Sequence, residues 1–377
     1  GLSNVVSVGS AAYGSFAIDK SGKLWAWGDN YAGMYGVGNN TKTNTPIDTG
    51  MTNVKAVDGE NYASIVLKND GTVWTAGGEN TPLGNGTNTS TTFVQVTTDG
   101  STPLSDVVAV SVGSYHFVAV KTDGTVWAWG QNTAKQLGDG TTTLQNYPIQ
   151  VKTDASNYLT NVVAVESGYQ HTVALTSDGK VFSWGLNNNG ESGGVTGYAV
   201  EMIASNAVKI AAGHRWSSAL LSDGTIKSWG NNTDGQMGNS ATASIVSTPV
   251  SASHLIPNAK AFSIGYKFSV VIAEDNYLLS AGANTNGEQG DETNVSSNFF
   301  DYTQSLLQLE PYEAPVPKLT LKAHGEAAGA AGEAAQAEII EKIEAEVTEE
   351  VTATEETPAV EEATNTTTTP VATPTTQ

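Results

Sequence analysis

Apolar positions alternate in short runs along this chain, and the runs come in pairs around a turn. Val118-Ala119-Val120 precedes Asp123-Gly124, and Val126-Trp127-Ala128-Trp129 follows it. Alternation with a period of two describes strands with one face turned inward. Asp-Gly between two such runs predicts a hairpin, because Gly reaches positive φ without steric cost and so closes a tight primed turn. The second run ends in Trp129-Gly130, followed by a polar loop and Gln136-Leu137-Gly138. The same order returns elsewhere. The turn recurs as Ser21-Gly22, Asp70-Gly71, Asp178-Gly179, Asp223-Gly224 and, in a weaker form, Asp275-Asn276. Trp-Gly closes the hairpin at Trp27-Gly28, Trp184-Gly185 and Trp229-Gly230, and decays to Ala76-Gly77 and Ala281-Gly282. The period is roughly 50 residues, that of a propeller blade and not of a helical solenoid unit. Six copies are readable.

Each copy reads as four short strands. The first begins near Val5, Val54, Val107, Val162, Val208 and Ala261, and a Gly follows each: Gly9, Gly59, Gly113, Gly168, Gly213 and Gly265. Three residues beyond that Gly stands Tyr62, His116, His171, Trp216 or Phe268, with Ala12 and then Tyr13 in the first copy. The second strand, the turn and the third strand come next. After Trp-Gly, an Asn-rich loop ends in Gly-x-x-Gly, as in Gly190 to Gly193, Gly235 to Gly238 and Gly287 to Gly290. A Thr-Pro or Tyr-Pro step (Pro46, Pro148, Pro249) leads to the fourth strand, where proline suits an outer edge that needs no ladder bond from its nitrogen.

The stretches Gly113 to Gly138 and Gly213 to Gly238 resemble the repeat of the regulator-of-chromosome-condensation family, written G-x-x-H-[ST]-x-A-L, then D-G, then W-G-x-N-x-x-G-Q-L-G. The resemblance covers about Val5 to Gln304. It implies an all-β propeller of four-stranded blades, with six or seven blades. A seventh would be a degenerate one near Leu306 to Lys322, where Leu306 to Leu309 and Leu319 to Leu321 have strand character, or would lie outside this sequence. The family includes secreted inhibitors that seat an enzyme on an aromatic rim and regulators that seat a small GTPase there. This chain is similar to the bacterial secreted or surface type.

The propeller is therefore expected over residues 1–309, with an acidic Ala/Glu-rich linker over 310–351 and a Thr/Pro/Glu-rich spacer over 352–377. Ile339, Ile340, Ile343 and Val347 fall at helical spacing within the linker. The spacer is too polar to bury a core of its own, and reads as disorder or as a glycosylated stalk. The formal net charge is −21, about half of it beyond Gln308. An acidic chain without a Lys/Arg cluster is unsuited to nucleic acid or anionic membranes. No apolar run is long enough to span a bilayer. There is no cysteine, which excludes disulfides, thiolate metal sites and a cysteine nucleophile.

Catalytic chemistry finds little footing. His116 and His171 sit where other copies carry Tyr or Trp, so a structural ring fits them better than a catalytic one. His254 and His324 lie outside the repeat core, and no two histidines are spaced as a metal pair. The Asp residues at 70, 123, 178 and 223 are turn formers. Loops such as Asn187-Asn188-Asn189 suit turn formation as well as a cation. A glycosidase needs two carboxylates, and Glu60, Glu166 and Glu191 lack evident partners. Neither a cofactor nor a metal is expected. Binding is the stronger case. The loops between first and second strands should share one rim, and they carry Tyr13, Tyr62, Tyr115, Tyr169, His214, Arg215, Trp216, Tyr266 and Lys267. Tyr, Trp and Arg are the residues enriched at protein–protein hot spots. The expected function is non-catalytic binding of a protein partner, outside the cell or at its surface. The alternative is a structural unit of a surface layer, associating with itself or the cell wall and tethered by the tail. Chromatin binding or nucleotide exchange is disfavoured by the acidic charge. The hairpin Trp residues are expected to pack between blades and not to stack on sugars.

Overall fold

The computed structural model describes residues 2–302, apart from 195, 196, 242, 253–258 and 275. The chain divides into two compact units, Gly1–Ala314 and Pro315–Gln377, and the described residues all fall in the first. The linker helix, the spacer, the strand-like pair after Gln304, His254 and His324 lie outside the described residues.

Six four-stranded antiparallel sheets follow one another, each built from strands adjacent in sequence. In blade 3 the strands are Val107–Val112, His116–Lys121, Val126–Gly130 and Gln145–Gln150. The first strands of the six blades are Val5–Ser10, Val54–Glu60, Val107–Val112, Val162–Ser167, Ala207–Ala212 and Ala261–Ile264. Each of the first five meets the first strand of the next blade. They therefore gather round a centre while the fourth strands lie outermost, which is the arrangement of a propeller. Apolar clusters form at the junctions: one joins blades 2 and 3 around Leu83, Phe117 and Trp129, and another joins blades 3 and 4 around Leu137, Val165 and Trp184.

The hairpin turn differs from the primed type. Only Gly124 has positive φ (76°), and the backbone amide of Lys121 donates to Thr125 at 3.0 Å, which makes a three-residue loop with a glycine bulge. A primed turn would need Asp123 in the left-handed region too. Asp123 instead accepts from the amide and hydroxyl of Thr125 at 3.0 and 2.6 Å. The same glycine links the blades. Its carbonyl accepts from the amide that starts the next first strand, at 2.9 Å for Gly22 and Val54 and at 3.0 Å for Gly124 and Val162.

The Asn-rich loops are clamped by the Asn two places after Trp-Gly. Asn132 donates to Asp139 and the Thr141 carbonyl at 3.0 and 3.1 Å and accepts from the Leu137 amide at 3.0 Å. Asn30, Asn232 and Asn284 accept likewise from Tyr35, Met237 and Gln289.

The junctions also explain why Trp-Gly decays in two blades. Trp129 and Trp184 are buried against Gly84 and Gly138 of the preceding blade. In blades 2 and 6, where Ala76 and Ala281 replace Trp, the glycines of the preceding blade, Gly36 and Gly238, meet Phe93 and Phe300. By register, Phe93 and Phe300 occupy the fourth-strand place held by Pro46, Pro148, Ala199 and Pro249 in the four blades with Trp. One large ring fills each wedge, from the third strand or from the fourth. The proline step is thus the small partner of a tryptophan as well as an edge feature.

The glycines are tested by a paired substitution. Gly138 and Gly290 both have positive φ, 66° and 63°. Alanine at either costs about 1 kcal/mol of backbone strain. At Gly138 its Cβ would also fall 2.7 Å from Val151 and 2.9 Å from Trp184, while at Gly290 nothing lies within 4 Å. Urea midpoints should place Gly138→Ala about 1–3 kcal/mol below Gly290→Ala, the usual cost of overpacking.

Candidate functional site

Pairing with the third strand sets the rim loops in register. Gly14, Ala63, His116, His171, Trp216 and Phe268 lie opposite the Gly that ends the third strand, Gly28 to Gly282. They form one equivalent set and open the second strand. Tyr13, Tyr62, Tyr115, Gln170, Arg215 and Lys267 stand one place earlier. Ala12, Asn61, Ser114, Tyr169, His214 and Tyr266 stand two places earlier. This corrects the alignment expected for blades 1 and 2. Gly113 donates its amide to the His116 carbonyl, and its equivalent in blade 1 is Ala11, which donates to Gly14. In blade 2 the equivalent is Glu60, paired with Ala63. Tyr62 is therefore a rim residue and not the filler of blade 2, whose place is held by Ala63.

The filler set is structural. His116 Nε2 bonds Thr172 Oγ1 and His171 Nε2 bonds Ser217 Oγ, both at 2.8 Å, and Trp216 Nε1 donates to the Gly265 carbonyl at 3.2 Å. Each bond joins one blade to the next. Trp216 is 1% exposed, so it is corrected from rim contact to junction filler: its indole is spent on Gly265 and cannot reach a partner.

The other eight residues belong to the rim, and most of them touch. Tyr115 and Tyr169 meet edge to face at 6.1 Å, Tyr169 and His214 lie 4.5 Å apart, and His214 and Tyr266 4.2 Å apart. Arg215 sits 5.6 Å over the Tyr169 ring, and Lys267 sits 6.0 Å from that of Tyr266. Backbone bonds stitch the loops beneath, from Ser114 to Tyr169 and from Tyr169 to His214, each 3.1 Å. A ladder of rings thus crosses blades 3 to 6. Tyr62 pairs at 5.7 Å with Tyr31, which sequence reasoning missed. Tyr31 comes from the loop after the third strand, and its only sequence signal is an aromatic among the polar residues after Trp27-Gly28. Tyr13 is exposed, and among the described residues no ring contact ties it to the ladder.

The ladder is electrostatically divided. Burial, then Arg215 and Lys267, hold His214 down to about 4, so it is neutral at pH 7. Burial, then the neighbouring Tyr169, push the Tyr115 phenol up. Lys267 pairs with Asp234 at 3.4 Å. Arg215 has no ion pair among the described residues. Carboxylates gather on the first strands instead. Asp58 accepts from the Val112 amide at 2.9 Å and the Ser111 hydroxyl at 3.2 Å, and burial raises its pKa. Burial and then Asp58 raise Glu60, and the same two causes push Glu166 up to about 7. Glu166 is nonetheless exposed, so solvent screens its charge and discounts what the shift contributes to stability. Glu191 is fully buried and holds its own loop through Asn189. Among the described residues, no group of three or more His, Asp or Glu is placed to hold a metal.

The half-buried hairpin tryptophans are also occupied. Lys23, Lys68 and Lys121 cover Trp25, Trp74 and Trp127 at 5.6, 5.6 and 5.9 Å, and their indole nitrogens donate to Asp19, Thr72 and Thr125. Those faces are not free for sugar stacking.

Two models of the regulator of chromosome condensation (RCC1) repeat match, one over residues 123–175 and the other over 107–136, 162–191 and 207–236. The chain carries RCC1 repeats. Protein pim1 of Schizosaccharomyces pombe is 30% identical over 201 residues, 51% of this chain and 29% of pim1. The human E3 ubiquitin-protein ligase HERC2 is 32% identical over 181 residues, 46% of this chain and 4% of HERC2. The ultraviolet-B receptor UVR8 of Arabidopsis thaliana is 29% identical over 184 residues, 47% of this chain and 40% of UVR8. The chain thus spans less than half the length of these relatives. Among solved structures, yeast RCC1 (Prp20) bound to Kap60 superposes with a TM-score of 0.66 at 22% identity, covering 80% of this chain and 75% of that one. Prp20p of Saccharomyces cerevisiae, described with its binding to Gsp1p and histones, gives 0.65 at 22% identity over 80% and 77%. These likenesses establish the RCC1 propeller fold.

Proposed function

We propose that this RCC1-repeat propeller is a non-catalytic scaffold that grips a protein partner on its aromatic rim, outside the cell or at its surface. The ring ladder from Tyr115 through Tyr169 and His214 to Tyr266 is the observation that carries the reading. Rings stacked on one another and stitched by backbone bonds are already ordered, so a partner meets them at little further entropic cost. Exposed Arg215, unpaired by a carboxylate among the described residues, adds a donor of the kind found at hot spots. Prp20p, which shares the fold, binds the proteins Gsp1p and histones. The acidic charge of this chain argues for a different partner, one without nucleic acid. The Thr/Pro-rich segment supports a place outside the cell. That segment, together with the exposed Val5, Val6 and Val8, favours as second reading a surface-assembly unit that associates with its own kind.

Tyr115→Ala, Tyr169→Ala and Tyr266→Ala combined should weaken capture of the partner at least about 30-fold, the effect of losing a hot spot of 2 kcal/mol or more. Tyr158→Ala, on an exposed Tyr away from the rim, should leave capture unchanged. Comparison of the proteins retained from the native source by each form measures this. Equal retention by both would remove the rim from the reading.

A further inference from the structure

Lysine supplies nearly all the positive charge of this chain. Lys and Arg together number 17, and Arg215 is the one arginine. Where the fold needs a cation for itself, lysine serves. Lys23, Lys68 and Lys121 cover tryptophans, Lys209 covers Phe262, and Lys180 reaches Glu201 at 3.4 Å. Covering a ring or pairing with a surface carboxylate therefore does not account for arginine at 215. What lysine lacks is the planar fork, whose parallel N–H groups fit both oxygens of a carboxylate at once.

The fork stands on the rim and is held ready there. Arg215 sits 5.6 Å over the Tyr169 ring, within the ladder. Its backbone is pinned from both sides: its carbonyl accepts from the Asn231 amide at 2.9 Å, and the next residue, Trp216, is tied to Gly265. Arg215 is exposed, and it forms no ion pair among the described residues. A guanidinium already stacked on a tyrosine has given up part of its rotamer freedom, so a bond made by it loses less entropy.

The charge along the ladder has a direction. Arg215 and Lys267 both act on His214, which lies between Tyr169 and Tyr266. Lys267 is taken by Asp234 at 3.4 Å, which leaves Arg215 as the unneutralised cation of this end. The other end is acidic. Glu79 acts on Tyr115, and Asp58 and Glu60 close the strand that leads into the Tyr62 loop. A carboxylate is repelled at the blade 2 end and drawn to the blade 5 end, which sets the direction in which a partner lies.

We propose that Arg215 is a carboxylate clamp: the partner gripped by the rim sets an Asp or Glu side chain, or its chain-terminal carboxylate, in the guanidinium fork and lays the neighbouring apolar residue on the exposed ring of Tyr266. The clamp rests on the rim as the binding face and adds the chemistry of what it binds.

A single arginine makes the test direct, because isotope-labelled arginine gives the full chain one side-chain Nε–H resonance. Acetyl-Glu-Phe-amide should move that resonance saturably. Acetyl-Gln-Phe-amide, the same shape without the charge, should bind about ten-fold more weakly, the scale of one charge-assisted hydrogen bond. Acetyl-Phe carries its carboxylate at the chain end, so the tighter of the two charged probes shows which source the fork takes. Arg215→Lys keeps the charge and loses the fork. Its affinity for the charged probe, read from the probe's own resonances, should also fall about ten-fold, with the urea midpoint unchanged. Equal binding of the Glu and Gln probes, tighter binding of acetyl-phosphoserine-Phe-amide than of either carboxylate, or full affinity in Arg215→Lys would each overturn the clamp. Capture from the native source separates this failure from failure of the rim. If Arg215→Lys captures as well as the parent while the triple tyrosine variant does not, the carboxylate is removed and the rim stands; if neither variant loses capture, both are removed.

Discussion

Trp129→Ala should cost about 3–5 kcal/mol in urea unfolding, the range for removing a large buried aromatic, and Pro148→Phe in the same chain should recover at least half of it. Trp129 is fully buried, stacks on Phe117 at 5.5 Å and packs among Leu83, Val96 and Leu104. Its indole nitrogen has no hydrogen-bond partner, so the loss is one of volume and no acceptor is orphaned. The rescue follows from the exchange this chain already makes. Blades 2 and 6 carry Ala76 and Ala281 with Phe93 and Phe300, at the places of Trp129 and Pro148. A phenylalanine at 148 should therefore reach the space against Gly84 that the lost indole leaves. If the double variant is no more stable than Trp129→Ala, the two strands are not interchangeable suppliers of the wedge ring. Trp27→Ala gives the scale: Trp27 is only half-buried because blade 1 has no described blade before it, and its loss should cost less than half as much.

The repeat was legible because its punctuation is local. Asp-Gly, Trp-Gly and Gly-x-x-Gly each answer to a backbone requirement within a few residues, and the period between them set the blade. What was not legible depends on strands pairing. Gly9 and Gly59 look like the equivalents of Gly113, yet they sit inside the first strand, and pairing with the second strand moves the motif to Ala11 and Glu60. That shift promoted Tyr62 from filler to rim. The exchange of Trp for Phe joins residues some twenty apart on different strands, so Ala76-Gly77 looked like decay when it is compensation. At the rim, the aromatic richness of the loops could be read directly. The ladder could not, because ring distances depend on how far each blade turns from the last. Trp216 was misread for the same reason: its composition suits a hot spot, but its register places it in a junction.

Stability should fall as the medium is acidified from about pH 6.5 towards pH 4, and the two filler histidines should carry the slope. Burial holds His116 down to about 3 and His171 down to about 4. Each spends Nε2 on a hydroxyl of the next blade and leaves Nδ1 buried without a partner, so the folded site has no use for a second proton. The unfolded chain takes that proton near pH 6.5. Below this pH the unfolded state binds more protons than the folded one, and each histidine removes up to about 1.4 kcal/mol per pH unit until its folded pKa is reached. Glu166, pushed up to about 7, opposes them. Its proton is bound more tightly in the folded state, so its contribution is present below about pH 4.5 and is lost as pH rises towards 7. Raised Asp58 and Glu60 act in the same sense. Only His116 is shifted further than Glu166, but His171 matches it and His214, held down to about 4, adds to the two filler histidines, so between pH 6.5 and 4.5 the net slope keeps the histidines' sign. His116→Phe with His171→Phe is the decisive variant, because Phe268 already fills this place in blade 6. Thr172 and Ser217 lose a partner in that variant, which lowers stability by a similar amount at every pH. The urea midpoint plotted against pH should therefore be lower but flatter than that of the parent between pH 6.5 and 4.5. Parallel curves would mean that the acid sensitivity arises elsewhere.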